Sequence, residues 1–321
     1  MKAVRLYGVG KLQVENIPVP TPAADQLHLK ILAAGICGSD LHNFRTGKWL
    51  AQLPVTPGHE LCGEVIAVGS EVSGFAIGDR VVADSRSWCG ECPACLSKKY
   101  NLCRSLGFVG EVCDGGFAEQ TVLPARGLMK VPSDLPAEIA VLSEPLGVAL
   151  RVVNQLNAPA GSSVRVAGGG TIGGLVALLL HHVAKCQVQL VEPNASRYQR
   201  LAALIPLQPP AEFDFAVEAT GIGAVMQQLI EGIEAGGRIA LVGLFHHQSE
   251  IDFNQLVERE IGLVGCSVFR DEQRQALSLL PELADQLATL TAPVIGLDEV
   301  PATYQMLIAG LSPYLKSVVV P

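Results

Sequence analysis

Hydrophobic and polar positions change their period along this chain. Residues 1–20, MKAVRLYGVGKLQVENIPVP, alternate as a strand does and lack the apolar run of a secretory signal. Up to about residue 130, short β-branched runs recur between Gly- and Pro-rich turns, at 27–33, 62–68, 80–83 and 119–123. This punctuation predicts an irregular all-β region. Residues 136–156 read as a helix that bridges two domains.

Beyond that helix, strands and helices alternate. Residues 164–167 form a short apolar strand, followed by a glycine turn, an apolar helix and a second strand at 187–191. Residues 194–204 suit a helix with Asn194 as its N-cap. Then come a strand at 213–218, a helix at 223–233 and a strand at 238–242. Such alternation implies a parallel sheet covered on both faces. The tail predicts helices at 274–287 and 302–309 and a closing strand at 316–320.

Composition bounds this picture. At 321 residues, two domains are the natural expectation. With 49% hydrophobic and 17% charged residues, the chain has enough apolar surface for a packed core. The net charge is −8 and no basic stripe is present, which argues against nucleic acid as a partner. The uncharged stretch 166–184 opens with Gly168, Gly169, Gly170, Gly173 and Gly174 and ends in His181-His182. It reads as a buried strand, turn and helix, because a membrane span needs about 20 predominantly apolar residues. Nine cysteines are present, four of them between Cys89 and Cys103. Such clustering predicts metal binding rather than disulfides, and a reducing, cytoplasmic setting.

The cluster reads Cys89-Gly-Glu-Cys92-Pro-Ala-Cys95, with Cys103 following. Four thiolates from one short loop can enclose a tetrahedral Zn²⁺ with no open position, which makes the site structural. A ferredoxin-type cluster would place its fourth cysteine three residues on, before a proline. Here it precedes Arg104, and zinc is favoured, although spacing alone does not decide the metal.

A second constellation is dispersed. Gly35-Ile-Cys37-Gly38-Ser39-Asp40-Leu41-His42 follows a strand, Gly58-His59-Glu60 comes later, and Ser143-Glu144-Pro145 opens the bridging helix. Cys37 and His59 would supply sulfur and nitrogen for a catalytic zinc with an open position, although each taken alone also reads as an ordinary core or packing residue. Glu60 and Glu144 are both carboxylate candidates for the remaining contact. The turn Gly168-Gly169-Gly170-Thr171-Ile172-Gly173 fits G-x-G-x-x-G between a strand and a helix. There the backbone can approach a pyrophosphate on the helix N-terminus. Glu192 ends the next strand, where a carboxylate accepts from a ribose 2′-OH and repels a 2′-phosphate. NAD is therefore expected over NADP, with Arg197 softening the repulsion.

In this order, GICGSDLH, PGHE, the CGECPAC…NLC lobe, Gly78-Asp79-Arg80-Val81 and Glu144-Pro145-Leu146 resemble the zinc-dependent medium-chain dehydrogenases. The likeness is to the branch of sorbitol, threonine and butanediol dehydrogenases, and it covers essentially the whole chain. It implies a GroES-like β domain over 1–150 and 270–321, and a Rossmann-type doubly wound domain over 151–269. It also implies two zinc ions, a homodimer or homotetramer, and hydride transfer from a small secondary alcohol to NAD. Ser39 takes the hydroxyl relay position and His42 the outer relay base. Glu144 matches the third-ligand carboxylate, and Glu60 the one that sits nearby or exchanges with it.

Several features depart from the family or stand apart. The segment 201–212, LAALIPLQPPAE, is too short for the usual strand and helix, so a trimmed sheet edge is expected. Arg151 stands where the family often has His, and Arg270 lies near a polyol-binding arginine of the branch. Trp49, Phe44 and Leu50 are candidates for the pocket or the core, and Cys62 and Cys113 read as packing residues. Strands at 238–242 and 261–264 are candidates for pairing across a two-fold axis. Polyols, sugar acids and diols are the expected substrates. The alternatives are L-threonine, a sugar phosphate, or a non-catalytic cofactor-binding regulator of the same fold.

Overall fold

The computed structural model describes residues 1–321, and the chain divides into two compact units. The first comprises Met1–Glu144, Arg274–Ser312 and Lys316–Pro321. The second comprises Pro145–Gln273 and Pro313–Leu315.

In the first unit the strand Gln26–Ile36 is the spine of an antiparallel sheet. It pairs with Ser317–Val319, Glu60–Val68 and Gln120–Pro124, and Arg80–Ala83 and Leu128–Lys130 continue the sheet. The spine extends beyond 27–33 because Ala33, Ala34 and Ile36 remain buried and paired. Two register shifts against Glu60–Val68 bend it, as bulges do. Leu27, Leu29, Val65, Val81, Phe117 and Tyr304 form its core. A helix that the strand pattern concealed, Gly38–Thr46, begins two residues after the spine ends. Its nine residues carry too little apolar periodicity to announce it.

The predicted bridging helix is two helices, Ala137–Ala140 and Ser143–Leu156. Pro145 accounts for the break. Its ring clashes with the carbonyl four residues back, so it fits a first turn and not a helix interior. The stretch 137–156 is long and apolar enough by composition to cross a membrane, yet 83% of its apolar window is buried within the protein.

The second unit holds five parallel strands in the order Gln187–Val191, Ser163–Ala167, Phe215–Glu218, Arg238–Leu241, Gly262–Gly265. Thr171–His182, Ala195–Ala202 and Gly223–Gly232 are the connecting helices. Asn194 caps the second of these, accepting from Arg197 N–H at 3.1 Å. The expected trimming is present: no strand or helix lies between Ala202 and Phe215. A loop tethers itself to the shortened edge instead. Gln208 N–H donates to Val188 O at 2.8 Å, and the Arg165 guanidinium donates to Gln189 Oε1 and to Ala211 O. Arg165 lies 4.0 Å over the Phe213 ring, which is 1% exposed.

One expectation is corrected. The strand at 238–242 is flanked on both sides, so its backbone groups are spent and it cannot pair across a two-fold axis. Gly262–Gly265 is the free edge. Arg151 has an internal role: it pairs with Glu272 at 3.2 Å, and the Gln155 amide oxygen, once oriented toward it, accepts at 2.7 Å. Arg270 donates its backbone N–H to the same Glu272.

Because Phe213 is buried in the core with Met226, Leu229, Ile230 and Ile239, Phe213→Ala should cost about 3–5 kcal/mol. Amide hydrogen exchange in the neighbouring strand Phe215–Glu218 would read that loss.

Candidate active site

Cys37 ends the spine strand and precedes the helix Gly38–Thr46. Its N–H donates to Asp40 Oδ2 at 2.8 Å. The other Asp40 oxygen lies 3.6 Å from His59 Nδ1, so one carboxylate orients both residues. His59 follows Gly58, whose φ is +97° and whose missing side chain makes room for the Phe117 ring. Candidate ligand atoms of Cys37, His59 and Glu60 lie within 4.8 Å of one another. Burial opposes charge on His59, but the Asp40 carboxylate and Cys37 outweigh it and hold its pKa well above the ordinary value. An imidazole backed by a carboxylate is the arrangement in which metal-ligating histidines are found.

Glu60 is completely buried, and both its oxygens accept from Lys316 Nζ, at 2.6 and 2.7 Å. Glu144 starts the helix Ser143–Leu156 and is 5% exposed. Its Oε1 accepts from Ser85 Oγ at 2.7 Å. Burial pushes its carboxyl up to about 7, helped by Glu60 and opposed by His59, Ser85 and Lys316. Cys37, His59 and Glu60 thus form one group that Glu144 adjoins electrostatically.

Ser39 and His42 sit three residues apart on the helix Gly38–Thr46, so they are neighbours on its surface. The His42 ring lies 4.2 Å from that of Trp49. Asn43 fixes this corner: it accepts from Trp49 N–H at 3.2 Å and donates to Glu111 Oε1 at 2.8 Å. Burial pushes the Glu111 carboxyl up to about 7. Phe44 is core, packed edge-on against Tyr304. Cys62 is fully buried, as expected of a packing residue.

Cys89, Cys92, Cys95 and Cys103 form a second group within 4.8 Å, and all nine cysteines of the chain are unpaired. Sulfur separations of 3.5 Å (Cys89–Cys103) and 3.9 Å (Cys89–Cys95) bracket the edge of a tetrahedron. Bonds of about 2.3 Å to zinc give that edge a length of roughly 3.8 Å. Backbone N–H groups of Cys89 and Ser105 point at the Cys103 sulfur. Those of Arg104 and Cys95 hold the Cys92 thiol down to about 6. Trp88 stacks on Tyr100 at the base of the lobe. The donor set therefore fits a closed zinc site.

In the second unit, Gly168 turns at φ +95°, and the helix Thr171–His182 begins at Thr171. A side chain on Gly173 would collide with the Gly168 carbonyl. Thr171 donates to the Leu315 carbonyl, and Ile172 follows on the same first turn. Glu192 is more engaged than its position suggested. It accepts from Gly169 N–H and Asn194 N–H, each at 2.7 Å, and from Arg197 at 2.8 Å. Its side chain is 2% exposed, whereas that of Arg197 is 23% exposed. Glu192, one residue past the strand Gln187–Val191, therefore clamps the glycine turn.

Four contributors escaped the motif reading: Asp40, Ser85, Glu111 and Lys316. Asp40 carried a signal, since it sits three residues after Cys37 at capping-box spacing. Lys316 carried none, lying 256 residues from its partner Glu60.

Comparison with known proteins gives a consistent outcome. A model of the alcohol dehydrogenase GroES-like domain matches residues 23–133, and one of the zinc-binding dehydrogenases matches residues 180–282. An L-threonine 3-dehydrogenase of Aeromonas salmonicida is 31% identical over 300 residues, covering 86% of this chain and 87% of the relative. The 2R,3R-butanediol dehydrogenase of Bacillus subtilis superposes with a TM-score of 0.91 at 29% identity, covering 100% of this chain and 99% of that one. A Sinorhizobium meliloti protein solved with NADP superposes with a TM-score of 0.90 at 31% identity, with coverage of 100% and 99%.

Removing the Ser85 hydroxyl takes a donor from a buried carboxylate. Ser85→Ala should destabilise the metal-free protein by about 1–3 kcal/mol, measured by denaturant unfolding.

Proposed function

The chain belongs to the zinc-binding, GroES-like alcohol dehydrogenase family, and from that premise we propose that it oxidises a secondary hydroxyl of a polyol, sugar acid or diol with NAD. The observation that carries this reading is the grouping of Cys37, His59 and Glu60 within 4.8 Å, with Asp40 behind His59. We assign one zinc to this group with a carboxylate from Glu60 or Glu144, and a second, structural zinc to Cys89, Cys92, Cys95 and Cys103. When bound, zinc supplies Lewis acidity toward a hydroxyl oxygen and the nicotinamide supplies hydride acceptance.

The chain's own residues do the rest. Cys37 and His59 hold the metal, and Asp40 fixes the imidazole so that its other nitrogen points inward. Ser39 accepts the hydroxyl proton and passes it to His42, whose ring is steadied against Trp49. Gly168, Gly170 and Gly173 let the backbone approach the pyrophosphate, with Thr171 and Ile172 opening the helix beneath it. Glu192 places negative charge beside the ribose site and disfavours a 2′-phosphate. Arg197, paired with it, reduces that penalty, so the preference for NAD is moderate. The free edge Gly262–Gly265 and the exposed Phe253 and Val257 support assembly into a homodimer or homotetramer. Nine unpaired thiols support a cytoplasmic setting.

A second substrate reading is oxidation of L-threonine, favoured by the Aeromonas salmonicida relative. Steady-state turnover of polyols, sugar acids, butanediol and L-threonine with NAD⁺ and NADP⁺ tests both. One substrate class with a higher kcat/KM on NAD⁺ is expected, and absence of turnover by zinc-replete protein would refute the enzymatic reading. Two variants refine the assignment. Cys37→Ser should lose one of two zinc ions by metal analysis, together with activity. Glu192→Ala should shift the NAD⁺/NADP⁺ ratio of kcat/KM toward NADP⁺ by about tenfold, as expected when roughly 1.4 kcal/mol of repulsion is removed. An unchanged ratio would assign Glu192 solely to the turn.

A further inference from the structure

A dinucleotide-binding sheet is two halves of three parallel strands, ordered third, second, first, fourth, fifth, sixth, and each half takes one mononucleotide. Here Ser163–Ala167, which leads into the glycine turn, is the first strand, and Gln187–Val191, which leads into Glu192, is the second. Phe215–Glu218, Arg238–Leu241 and Gly262–Gly265 continue from the other side of the first strand as the fourth, fifth and sixth. The third is missing, and Gln187–Val191 stands at the edge. The loss falls on the half that carries Glu192, the acid of the adenosine ribose. The half that takes the nicotinamide nucleotide keeps all its strands.

The loop that replaces the lost layer does not rebuild a pocket for a base. It meets the edge strand at Val188, through Gln208 N–H at 2.8 Å, and at the Gln189 side chain, through Ala211 N–H at 3.3 Å. Neither contact reaches past the middle of the strand, whereas nucleotides bind beyond the carboxyl ends. Gln208 Nε2 donates back to Pro206 O at 3.1 Å, and Pro206, Pro209 and Pro210 have no N–H to offer. Val191, next to Glu192, is left 50% exposed. A purine gains affinity by burial of its faces and by hydrogen bonds to its edge, and a base on an open surface keeps its water instead.

The anchors for the rest of the cofactor survive. Glu192 is in place for ribose hydroxyls, and the glycine turn with the helix Thr171–His182 is in place for the phosphates. We propose that the protein holds its dinucleotide by the nicotinamide nucleotide, the pyrophosphate and the adenosine ribose, and does not read the base. A nicotinamide dinucleotide that carries cytosine in place of adenine then serves as well as NAD. This rests on the dehydrogenase reading above and deepens it on the side of the cofactor.

The test is made on the full-length, zinc-replete protein, and binding comes first. NADH and the reduced nicotinamide cytosine dinucleotide are each titrated by calorimetry. Their Kd values should agree within about fivefold, because an open base buries little surface. A preference for NADH beyond that factor would overturn the proposal; an enclosed base predicts roughly tenfold to a hundredfold, the scale for fully burying an aromatic ring. With a substrate that turns over, NAD⁺ and the oxidised cytosine analogue should share one kcat and differ in kcat/KM by no more than the same factor. Failure of both reduced dinucleotides to bind is a different result, which would refute the cofactor reading on which the proposal stands.

Discussion

Two buried carboxylates govern the first unit. Glu60 is completely buried and Glu144 nearly so. Charges in such surroundings persist only when paired and hydrogen-bonded. The unit can be read as the set of partners that meet this demand. The spine strand brings Ile36 O and the space at Gly35, and the C-terminal strand brings Lys316. The segment after Arg80–Ala83 brings Ser85, and the helix Gly38–Thr46 brings Asp40 to His59. Each partner is supplied by a different stretch of chain, which is why a small, irregular sheet suits the task. Its bulges and short strands let several chain ends converge on one point.

The two cysteine-containing sites solve different problems. The lobe at 89–103 carries its four sulfurs on one loop, with backbone N–H groups turned inward and aromatic rings beneath. Everything it needs is local, and nothing is left open for a substrate. The site at Cys37 assembles from distant segments with unlike donors. The adjoining helix also carries the Ser39 hydroxyl and the His42 imidazole.

The second unit keeps what nucleotide binding requires and discards part of the rest. The glycine turn, the helix that follows it and the strand Gln187–Val191, which leads into Glu192, are intact. The layer beyond Gln187–Val191 is absent, and Arg165, Gln189 and Gln208 tie the following loop to that edge with side chains and one backbone bond. Three prolines at 206, 209 and 210 deny the loop the N–H groups a further strand would need. Glu192 connects the two features, because the carboxylate just past the edge strand also holds Gly169 of the turn.

The amino-acid sequence by itself determined the local structures. Strand periodicity, the glycine turn, the Asn194 cap, the trimmed segment and the four-cysteine loop are properties of neighbouring residues, and they were legible for that reason. Cys37, His59, Glu60 and Glu144 were legible as a set only through their order and their likeness to a family. What tertiary structure alone decided is which distant charges meet. Local pattern carries no trace of Lys316 closing on Glu60, of Ser85 serving Glu144, or of Glu192 reaching back to Gly169. The edge position of 262–265, as against the interior position of 238–242, likewise depends on strand order. Periodicity reports which face of an element is buried. The pairing of buried charges and the order of strands arise from contacts between segments that sequence separation does not encode.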